Sequence, residues 1–168
     1  MQVVSIENSN SKEEKYKQLV PQIKSLIEEE NNGVANICNT ISALHHAMNF
    51  LWTGLYFVSD NQLQLGMFQG TAACTRIQFS KGVCGTCASQ KEIIIVDDVD
   101  RFDGHIACSS LSKSEIVLPI FDKTKNVIAV FDVDSENLCN FDEIDASYLK
   151  EVLEIIQSHI VQFAKTNF

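Results

Sequence analysis

Residues 115–134 contain two apolar runs on either side of a polar turn and read EIVLPIFDKTKNVIAVFDVD. The runs 115–121 and 127–134 each have the length and the β-branched content of a strand, and residues 122–126 between them are typical of a turn. We therefore predict an antiparallel hairpin. A turn centred on Thr124 places Glu115 opposite Val133 on the partner strand.

Shorter strand candidates precede this hairpin along the chain. Residues 53–58 and 63–68 form a second predicted hairpin around the polar turn 59–62, and residues 93–96 are a separate apolar, β-branched run. Successive strands that are joined by short turns pair in the antiparallel sense. These segments predict an antiparallel sheet of about six strands.

Helical periodicity occupies both ends of the chain. Apolar residues recur at three-and-four spacing in residues 12–30, 34–48 and 142–163; we expect Pro21 to kink the first helix and residues 31–33 to end it. The order predicts an α+β fold, in which the N- and C-terminal helices pack on one face of the sheet. Because no linker or repeat is visible, we predict one domain over residues 1–168, with a flexible tail over 1–11.

The composition narrows the class of protein. The 168 residues are 45% hydrophobic and carry 13 basic against 22 acidic side chains, which gives a formal net charge of −9. Nucleic-acid binding needs clustered Lys and Arg, and a membrane-spanning helix needs about 18–20 apolar residues in a row; the sequence has neither. The polar N-terminus also lacks the apolar core of a signal peptide. We therefore expect a cytoplasmic protein without nucleic-acid or membrane partners.

Four of the six cysteines lie close together in the sequence, between positions 74 and 108. They are Cys74, Cys84, Cys87 and Cys108. Cys108 follows a glycine-containing segment and Cys84 lies between two glycines, so we expect both thiols in flexible loops, where thiols are accessible. Two thiols can form a disulfide when their Cα atoms approach within about 7 Å, but the sequence does not rank the pairs. The remaining two cysteines, Cys38 and Cys139, are expected to be inert.

The segment Cys84-Gly85-Thr86-Cys87 has the spacing of a redox motif or of half a zinc site. The sequence has no second C-x-x-C, and His45 and His46 lie far upstream on a predicted helix. We therefore predict no metal. A hydrolase that uses Cys108 with His105 is possible in principle, but three residues of separation in a loop do not fix the geometry of the pair, and we expect His105 to order the loop instead.

Acidic side chains end the last predicted strand. Asp132 and Asp134 share one strand face, and Glu115 begins the neighbouring strand. Buried together without a Lys or Arg, three carboxyl groups would share a proton near neutral pH and act as a general acid. They would equally suit a cationic group such as an α-ammonium. The alternative is a solvated pair of Asp residues at a frayed strand end.

Trp52 and Tyr56 are four residues apart on a predicted strand, so their rings share a face. Core packing is one interpretation, and an aromatic wall for a small apolar ligand group is the other. The sequence contains no G-x-G-x-x-G, P-loop or H-E-x-x-H motif, and we predict no cofactor.

The chain closely resembles the free methionine-(R)-sulfoxide reductases, a family of stand-alone GAF-domain enzymes. The resemblance extends from about residue 15 to residue 156 and includes the three-cysteine spacing of Cys74, Cys84 and Cys108 together with Glu115 and the Asp pair. The matching segments are WTGLY (52–56), LGMFQG (65–70), AC (73–74), GVCG (82–85), HIAC (105–108), SEIVLP (114–119) and DVDS (132–135).

The resemblance implies a thiol mechanism. Cys108 would attack the sulfur of free methionine sulfoxide and become a sulfenic acid, which Cys74 or Cys84 would convert to a disulfide for reduction by thioredoxin or a similar donor. The aromatic wall of Trp52 and Tyr56 would contact the substrate, with its methyl group against Trp52. The acids Glu115, Asp132 and Asp134 would hold the substrate and protonate its oxygen. The family also implies a homodimer.

Two positions depart from the family pattern. Ser109 replaces the usual Asp after the nucleophile, and Cys87 replaces a small residue such as Ala. Neither change removes an implied chemical role. Two alternatives remain: a GAF sensor domain that binds a small ligand without turnover, and a thiol-sensing interaction protein.

Overall fold

The computed structural model describes residues 4–7, 9, 11–106 and 108–168, and within them four α-helices and six strands alternate with short loops. The helices are α1 (Lys12–Ile27), α2 (Gly33–Met48), α3 (Gly82–Gln90) and α4 (Glu143–Asn167). The strands are β1 (Trp52–Ser59), β2 (Gln62–Gln69), β3 (Arg76–Gln78), β4 (Ile94–Val96), β5 (Ser114–Phe121) and β6 (Val127–Ser135). None of the helices in this part of the chain is both long and apolar enough to cross a membrane.

The six strands form one antiparallel sheet in the spatial order β3-β2-β1-β6-β5-β4. On one face, α1, α2 and α4 pack against inward residues such as Leu55 and Phe131. On the other face, α3 packs against Tyr56 and Val130. The arrangement confirms the predicted α+β fold with the terminal helices on one face. The helix on the opposite face was not predicted.

The first helix differs from its prediction at both features that we expected to interrupt it. Pro21 lies on the exposed side of α1, and the helix continues through it because Tyr16 and Ile23 are fully buried on the other side. Residues 31–33 do not end α1, which stops at Ile27. Instead Asn32 caps the start of α2, since its side-chain oxygen accepts hydrogen bonds from the backbone N–H groups of Val34 and Ala35.

A buried polar network ties α1 to α4. Asp145 is fully buried, accepts a hydrogen bond of 2.8 Å from the Tyr16 hydroxyl and forms an ion pair with Lys12. Its second oxygen also accepts the backbone N–H of Asp142, the residue that caps α4. Both oxygens of the buried carboxylate are therefore hydrogen-bonded, as burial of a charge requires.

The register of the β5–β6 hairpin differs from the prediction by one residue. Phe121 pairs with Val127 next to the turn, but beyond a bulge Glu115 pairs with Asp134 and not with Val133. The bulge inserts one extra residue into β6, so every pair beyond it is displaced by one position. Directly opposed residues lie on the same face of a sheet, so the shift brings Glu115 to the face that carries Asp134.

The N-terminal segment makes contacts along α1. The backbones of Ser5 and Glu7 exchange hydrogen bonds with the side chains of Gln22 and Gln18, respectively. Residues 1–3, 8 and 10 of the predicted tail lie outside the described residues. The tail over 1–11 and the single domain over 1–168 stay predictions.

Candidate active site

A cavity lies between α3, the acidic ends of β5 and β6, and the loops that carry Cys74 and Cys108. Its volume is about 40 Å³. None of the described residues that line it is Lys or Arg. Its principal lining residues are Trp52, Tyr56, Ala73, Cys84, His105, Cys108, Ser112, Glu115, Asp132 and Asp134.

Three carboxyl groups meet at the inner end of this cavity, as the sequence predicted. Glu115 and Asp132 are each only 6% exposed. Burial, and then the nearby carboxylates, raise the pKa of Glu115 well above its usual value, and burial followed by the charge of Asp134 does the same for Asp132. Burial also raises the pKa of Asp134, to about 6. The cluster therefore retains protons at neutral pH and is not a solvated strand end.

One carboxylate oxygen in the cluster has no hydrogen-bond partner among the described residues. It is Oδ1 of Asp132, and it is buried. An unpaired buried acceptor is unfavourable unless a ligand supplies a donor, so the site is complementary to a molecule that brings N–H or O–H groups.

Cys84 lies beside the carboxyl cluster, but not in a flexible loop as expected. It belongs to the first turn of α3, and its thiol is 3.8 Å from Oε1 of Glu115, to which it donates a hydrogen bond. Burial, followed by the neighbouring acids, raises the pKa of Cys84 well above the ordinary thiol value. Cys84 is therefore a neutral thiol at physiological pH.

The helix that carries Cys84 is possible because Gly85 has no side chain. A Cβ atom at this position would lie 2.2 Å from the backbone oxygen of Gln78 at the end of β3. The backbone of α3 thus packs directly on the backbone that follows the sheet. Gly85 accordingly permits close packing, and Gly82 adopts a φ of +60°, a backbone conformation that favours glycine; neither marks a mobile loop.

Cys87 is the second thiol of the C-x-x-C segment and is fully buried one turn further along α3. Its sulfur donates to the backbone oxygen of Val117, and burial raises its pKa. A metal-type cluster does exist nearby: one ligand atom from each of Cys84, Glu115 and Asp132 lies within 4.8 Å of the others. All three are buried with raised pKa values, so an ion would have to displace protons. The absence of a metal stays a prediction.

Cys74 and Cys108 form a disulfide beside the cavity, which Cys108 lines, with 5.5 Å between their Cα atoms. Cys74 lies between β2 and β3, and Cys108 lies between β4 and β5, so the bond connects two loops that are distant in sequence. The sequence left the pairing open among Cys74, Cys84 and Cys108. The structure pairs Cys74 with Cys108 and leaves Cys84 as a free, buried thiol.

Trp52 and Tyr56 form one wall of the cavity. Their ring centroids are 5.8 Å apart, and Trp52 also stacks on Phe68 at 5.3 Å. The indole N–H donates to the backbone oxygen of Thr71 at 3.1 Å, which fixes the orientation of the ring. A Cβ atom at Gly54 would lie 2.5 Å from the indole, so any residue other than glycine at this position would clash with the ring. The prediction that both rings share a face is confirmed.

Sequence reasoning missed Ser112, which is buried and donates a hydrogen bond from Oγ to Oδ1 of Asp134. The only signal in the sequence was its place in a serine-rich segment before β5. His105 also lines the cavity, and burial lowers its pKa, so its imidazole is neutral at physiological pH.

Comparisons with known proteins agree with this geometry. Residues 34–161 match the family model described as the GAF domain. "GAF domain-containing protein A" of Dictyostelium discoideum is 52% identical over 152 residues, which cover 90% of this chain and 96% of the relative. "Free methionine-R-sulfoxide reductase" of Saccharomyces cerevisiae is 39% identical over 166 residues, covering 94% of this chain and 92% of the relative.

The fold also matches a solved structure of an enzyme with its substrate. The X-ray structure of free methionine-R-sulfoxide reductase from Neisseria meningitidis, in complex with its substrate, superposes with a TM-score of 0.90 at 40% identity and covers 100% of both chains.

Proposed function

The chain belongs to the GAF domain family and, within it, to the free methionine-R-sulfoxide reductases, and from this premise we propose that it reduces free L-methionine (R)-sulfoxide to methionine. The observation that carries the proposal is the Cys74–Cys108 disulfide, because Cys108 lines the same cavity as three carboxyl groups. A disulfide in this place is the oxidised product that a thiol-dependent reduction leaves.

The cavity is complementary to each part of the substrate. The methyl group lies against the fixed indole of Trp52, with Tyr56 behind it, because this wall is the apolar one. The carboxyl cluster holds the α-ammonium group. The α-carboxylate lies toward the start of α3, where residues 82–84 line the cavity. Lys81, the N-cap residue of this helix, makes no side-chain hydrogen bond to the first helical N–H groups, and the start of a helix favours an anion.

The chemistry transfers one oxygen atom from substrate to enzyme. The sulfur of Cys108 attacks the protonated sulfoxide and forms a bond to the substrate sulfur. The oxygen then passes to Cys108 as that S–S bond and the S–O bond of the substrate break, so that methionine leaves with two more electrons on its sulfur and Cys108 is left as a sulfenic acid. The thiol of Cys74 then attacks Cys108, a disulfide forms and the oxygen leaves as water.

The carboxyl cluster opposes ionisation of Cys108, but the proton that the cluster holds offsets this effect. Carboxylates near Cys108 disfavour the thiolate that attacks. Glu115 and Asp132, however, share a hydrogen bond and hold a proton at neutral pH, since burial raises the pKa of both. Delivery of this proton to the sulfoxide oxygen makes the substrate sulfur more electrophilic, which lessens the need for a strongly acidic thiol.

Regeneration requires an external dithiol. We infer that thioredoxin, or a similar dithiol protein, reduces the Cys74–Cys108 disulfide, and that the protein acts in the cytoplasm, which is kept reducing, during oxidative stress. The family resemblance adds a homodimer, which sedimentation of the purified protein at micromolar concentration tests. A single sedimenting species with the 18.8 kDa mass of one chain would contradict the dimer.

The activity is tested by supplying NADPH, thioredoxin and thioredoxin reductase with four substrates: the R and S epimers of free methionine sulfoxide and the same epimers within a peptide. We expect NADPH consumption with the free R epimer alone. A parallel assay with dithiothreitol and direct detection of methionine separates failure of the donor from failure of the chemistry. Ligand binding without methionine formation in both assays would favour the GAF sensor.

A further inference from the structure

We propose that Ser112 is a positioning residue that keeps Asp134 as the ionised member of the carboxyl cluster and so assigns Asp134 to the ammonium group of the substrate. The inference rests on the function proposed above. The three acids then have different roles. Asp134 binds the ammonium group of the substrate, while Glu115 and Asp132 retain the proton for the sulfoxide oxygen.

The buried Ser112 side chain is hydrogen-bonded to Asp134. Ser112 is 5% exposed, and its Oγ lies 2.5 Å from Oδ1 of Asp134. Hydrogen bonds from a hydroxyl to a carboxylate have lengths of about 2.5–2.7 Å, shorter than those between neutral groups. The contact is therefore of the kind that favours the charged form of Asp134.

The backbone around Ser112 holds the hydroxyl in place. The next residue, Lys113, donates its N–H to Ser135 at 2.8 Å and accepts the N–H of Val99 at 3.0 Å. One residue further on, the Ser114 hydroxyl donates to the backbone oxygen of Asn137 at 2.6 Å. Ser112 thus precedes a segment that is fixed to two other parts of the chain, which limits movement of its side chain away from Asp134.

Neither of the other two acids accepts a hydrogen bond from a Ser, Thr or Tyr hydroxyl among the described residues. Glu115 accepts the weak S–H donor of Cys84 and shares a hydrogen bond with Asp132. Within the part of the chain that the structure describes, Asp132 has hydrogen bonds only with Cys84 and Glu115, and its Oδ1 has no partner. The pKa directions agree with this difference, because that of Asp134 is raised to about 6, and those of Glu115 and Asp132 are raised well above their usual values. The Ser112 hydrogen bond and these pKa values together assign the negative charge of the cluster at pH 7 to Asp134.

The groups that surround Asp134 do not supply an alternative charge partner. Of the described residues that line the cavity, the titratable ones are Asp132 on its own strand, Glu115 on β5, Tyr56 on β1, Cys84 on α3, and His105 and Cys108 on the loop before β5. Cys108 is in the disulfide, and burial lowers the pKa of His105, so neither brings a positive charge at neutral pH. The Ser112 hydroxyl is thus the group that stabilises the carboxylate.

The test compares Ser112→Ala, Ser112→Thr and the exposed control Ser110→Ala. Carbon-13 NMR of the oxidised protein follows the titration of the Asp134 carboxyl without any turnover. We expect Ser112→Ala to raise its pKa by about one unit, because a hydrogen bond to the charged form is lost. Ser112→Thr, which keeps a hydroxyl, and Ser110→Ala should titrate as the unchanged protein does.

Kinetics give the second readout. A pKa moved from about 6 to about 7 lowers the ionised fraction roughly fivefold at pH 6 and by less than about 1.2-fold at pH 8. The loss should appear in KM for methionine sulfoxide, since Asp134 binds the substrate, and kcat should change little. A structural defect would instead lower activity at both pH values and would also lower the melting temperature.

Two outcomes would overturn the inference. An unchanged Asp134 titration in Ser112→Ala would show that the hydroxyl does not set the charge, and a pH-independent loss of activity would show that Ser112 acts only through the fold. Failure of the proposed function itself looks different, because a Cys108→Ser variant would then retain whatever activity the protein has.

Discussion

Glu115 lies directly opposite Asp134 across the β5–β6 ladder, and the pairing depends on the bulge beyond Ile120. In the register without a bulge, Glu115 would oppose Val133, which packs into the core under α1, α2 and α4. The carboxyl group would then lie in an apolar environment without partners. A one-residue irregularity near the turn therefore determines that three acids meet in one cavity.

The Cys74–Cys108 pairing predicts different effects on methionine formation for serine variants of Cys108, Cys74 and Cys84. We expect Cys108→Ser to abolish formation of methionine, because the nucleophile is lost. Cys74→Ser should form about one methionine per protein molecule and then stop with thioredoxin as donor, since no disulfide can form. Cys84→Ser should continue to turn over, because its buried thiol is not in the disulfide. Methionine is measured in single-turnover and steady-state assays.

The exposed Cys139 supplies the matched control, and Cys139→Ser should behave as the unchanged protein. Sustained turnover by Cys74→Ser together with arrest of Cys84→Ser would reverse the assignment and make Cys84 the resolving thiol.

Asp132 is expected to contribute to the chemical step. Asp132→Asn keeps the size of the side chain but removes the proton that it shares with Glu115, so kcat should fall by about 10²–10⁴-fold. The melting temperature should stay within a few degrees, because the amide is able to occupy the same buried site. Steady-state kinetics and thermal unfolding measure the two effects. Unchanged kcat from pH 5 to pH 9 would contradict the shared proton.

Stability should fall as pH rises through the range in which Asp134 ionises. Its pKa is raised by burial from 3.8 to about 6, so the folded protein holds this proton more tightly than the unfolded chain does. The resulting stabilisation is present below pH 4 and is lost between about pH 4 and 6, with a size of up to about 3 kcal/mol. Urea unfolding of the unchanged protein and Asp134→Asn across this range measures the difference.

Asp122 supplies a control of opposite sign. Hydrogen bonds from Thr124 and Asn126 lower the pKa of this exposed carboxyl, so its contribution is present at neutral pH and is lost as pH falls. Asp122→Asn should therefore weaken the protein at pH 7 and have little effect at pH 3. The same direction of change for both Asp variants would contradict the assignment.

We expect the buried network around Asp145 to contribute to the free energy of unfolding and not to catalytic activity. Asp145→Ala leaves Lys12 and the Tyr16 hydroxyl without their partner and should cost about 3–5 kcal/mol of unfolding free energy. Tyr16→Phe should cost about 1 kcal/mol. Lys17→Met, at an exposed helical ion pair with Glu13, should change the unfolding free energy by less than about 0.5 kcal/mol.

Urea unfolding of the three variants tests these predicted free energies, and kcat/KM is to be measured on the same samples. The network lies on the helical side of the sheet, away from the cavity, so kcat/KM per folded molecule should stay constant. A loss of kcat/KM in Tyr16→Phe at full folding would show coupling between the two faces.

Local pattern was sufficient to predict the terminal helices, the two hairpins and the shared face of Trp52 and Tyr56, because each depends on neighbours along the chain. It did not predict α3, whose sequence GVCGTCASQ has two glycines and no clear apolar stripe. That helix is stable because Gly85 lets its backbone pack against residue 78, a contact between separate elements. The disulfide and the bulge likewise depend on tertiary packing, so the sequence placed Glu115 and the cysteines near one another but left the pairing open.

The place of Cys108 in the disulfide has a kinetic consequence. The sulfur that attacks methionine sulfoxide is bonded to Cys74 in the oxidised enzyme, so it cannot react with a second substrate molecule until the donor has reduced the disulfide. Such an enzyme works by a ping-pong scheme, in which double-reciprocal plots at several donor concentrations are parallel lines.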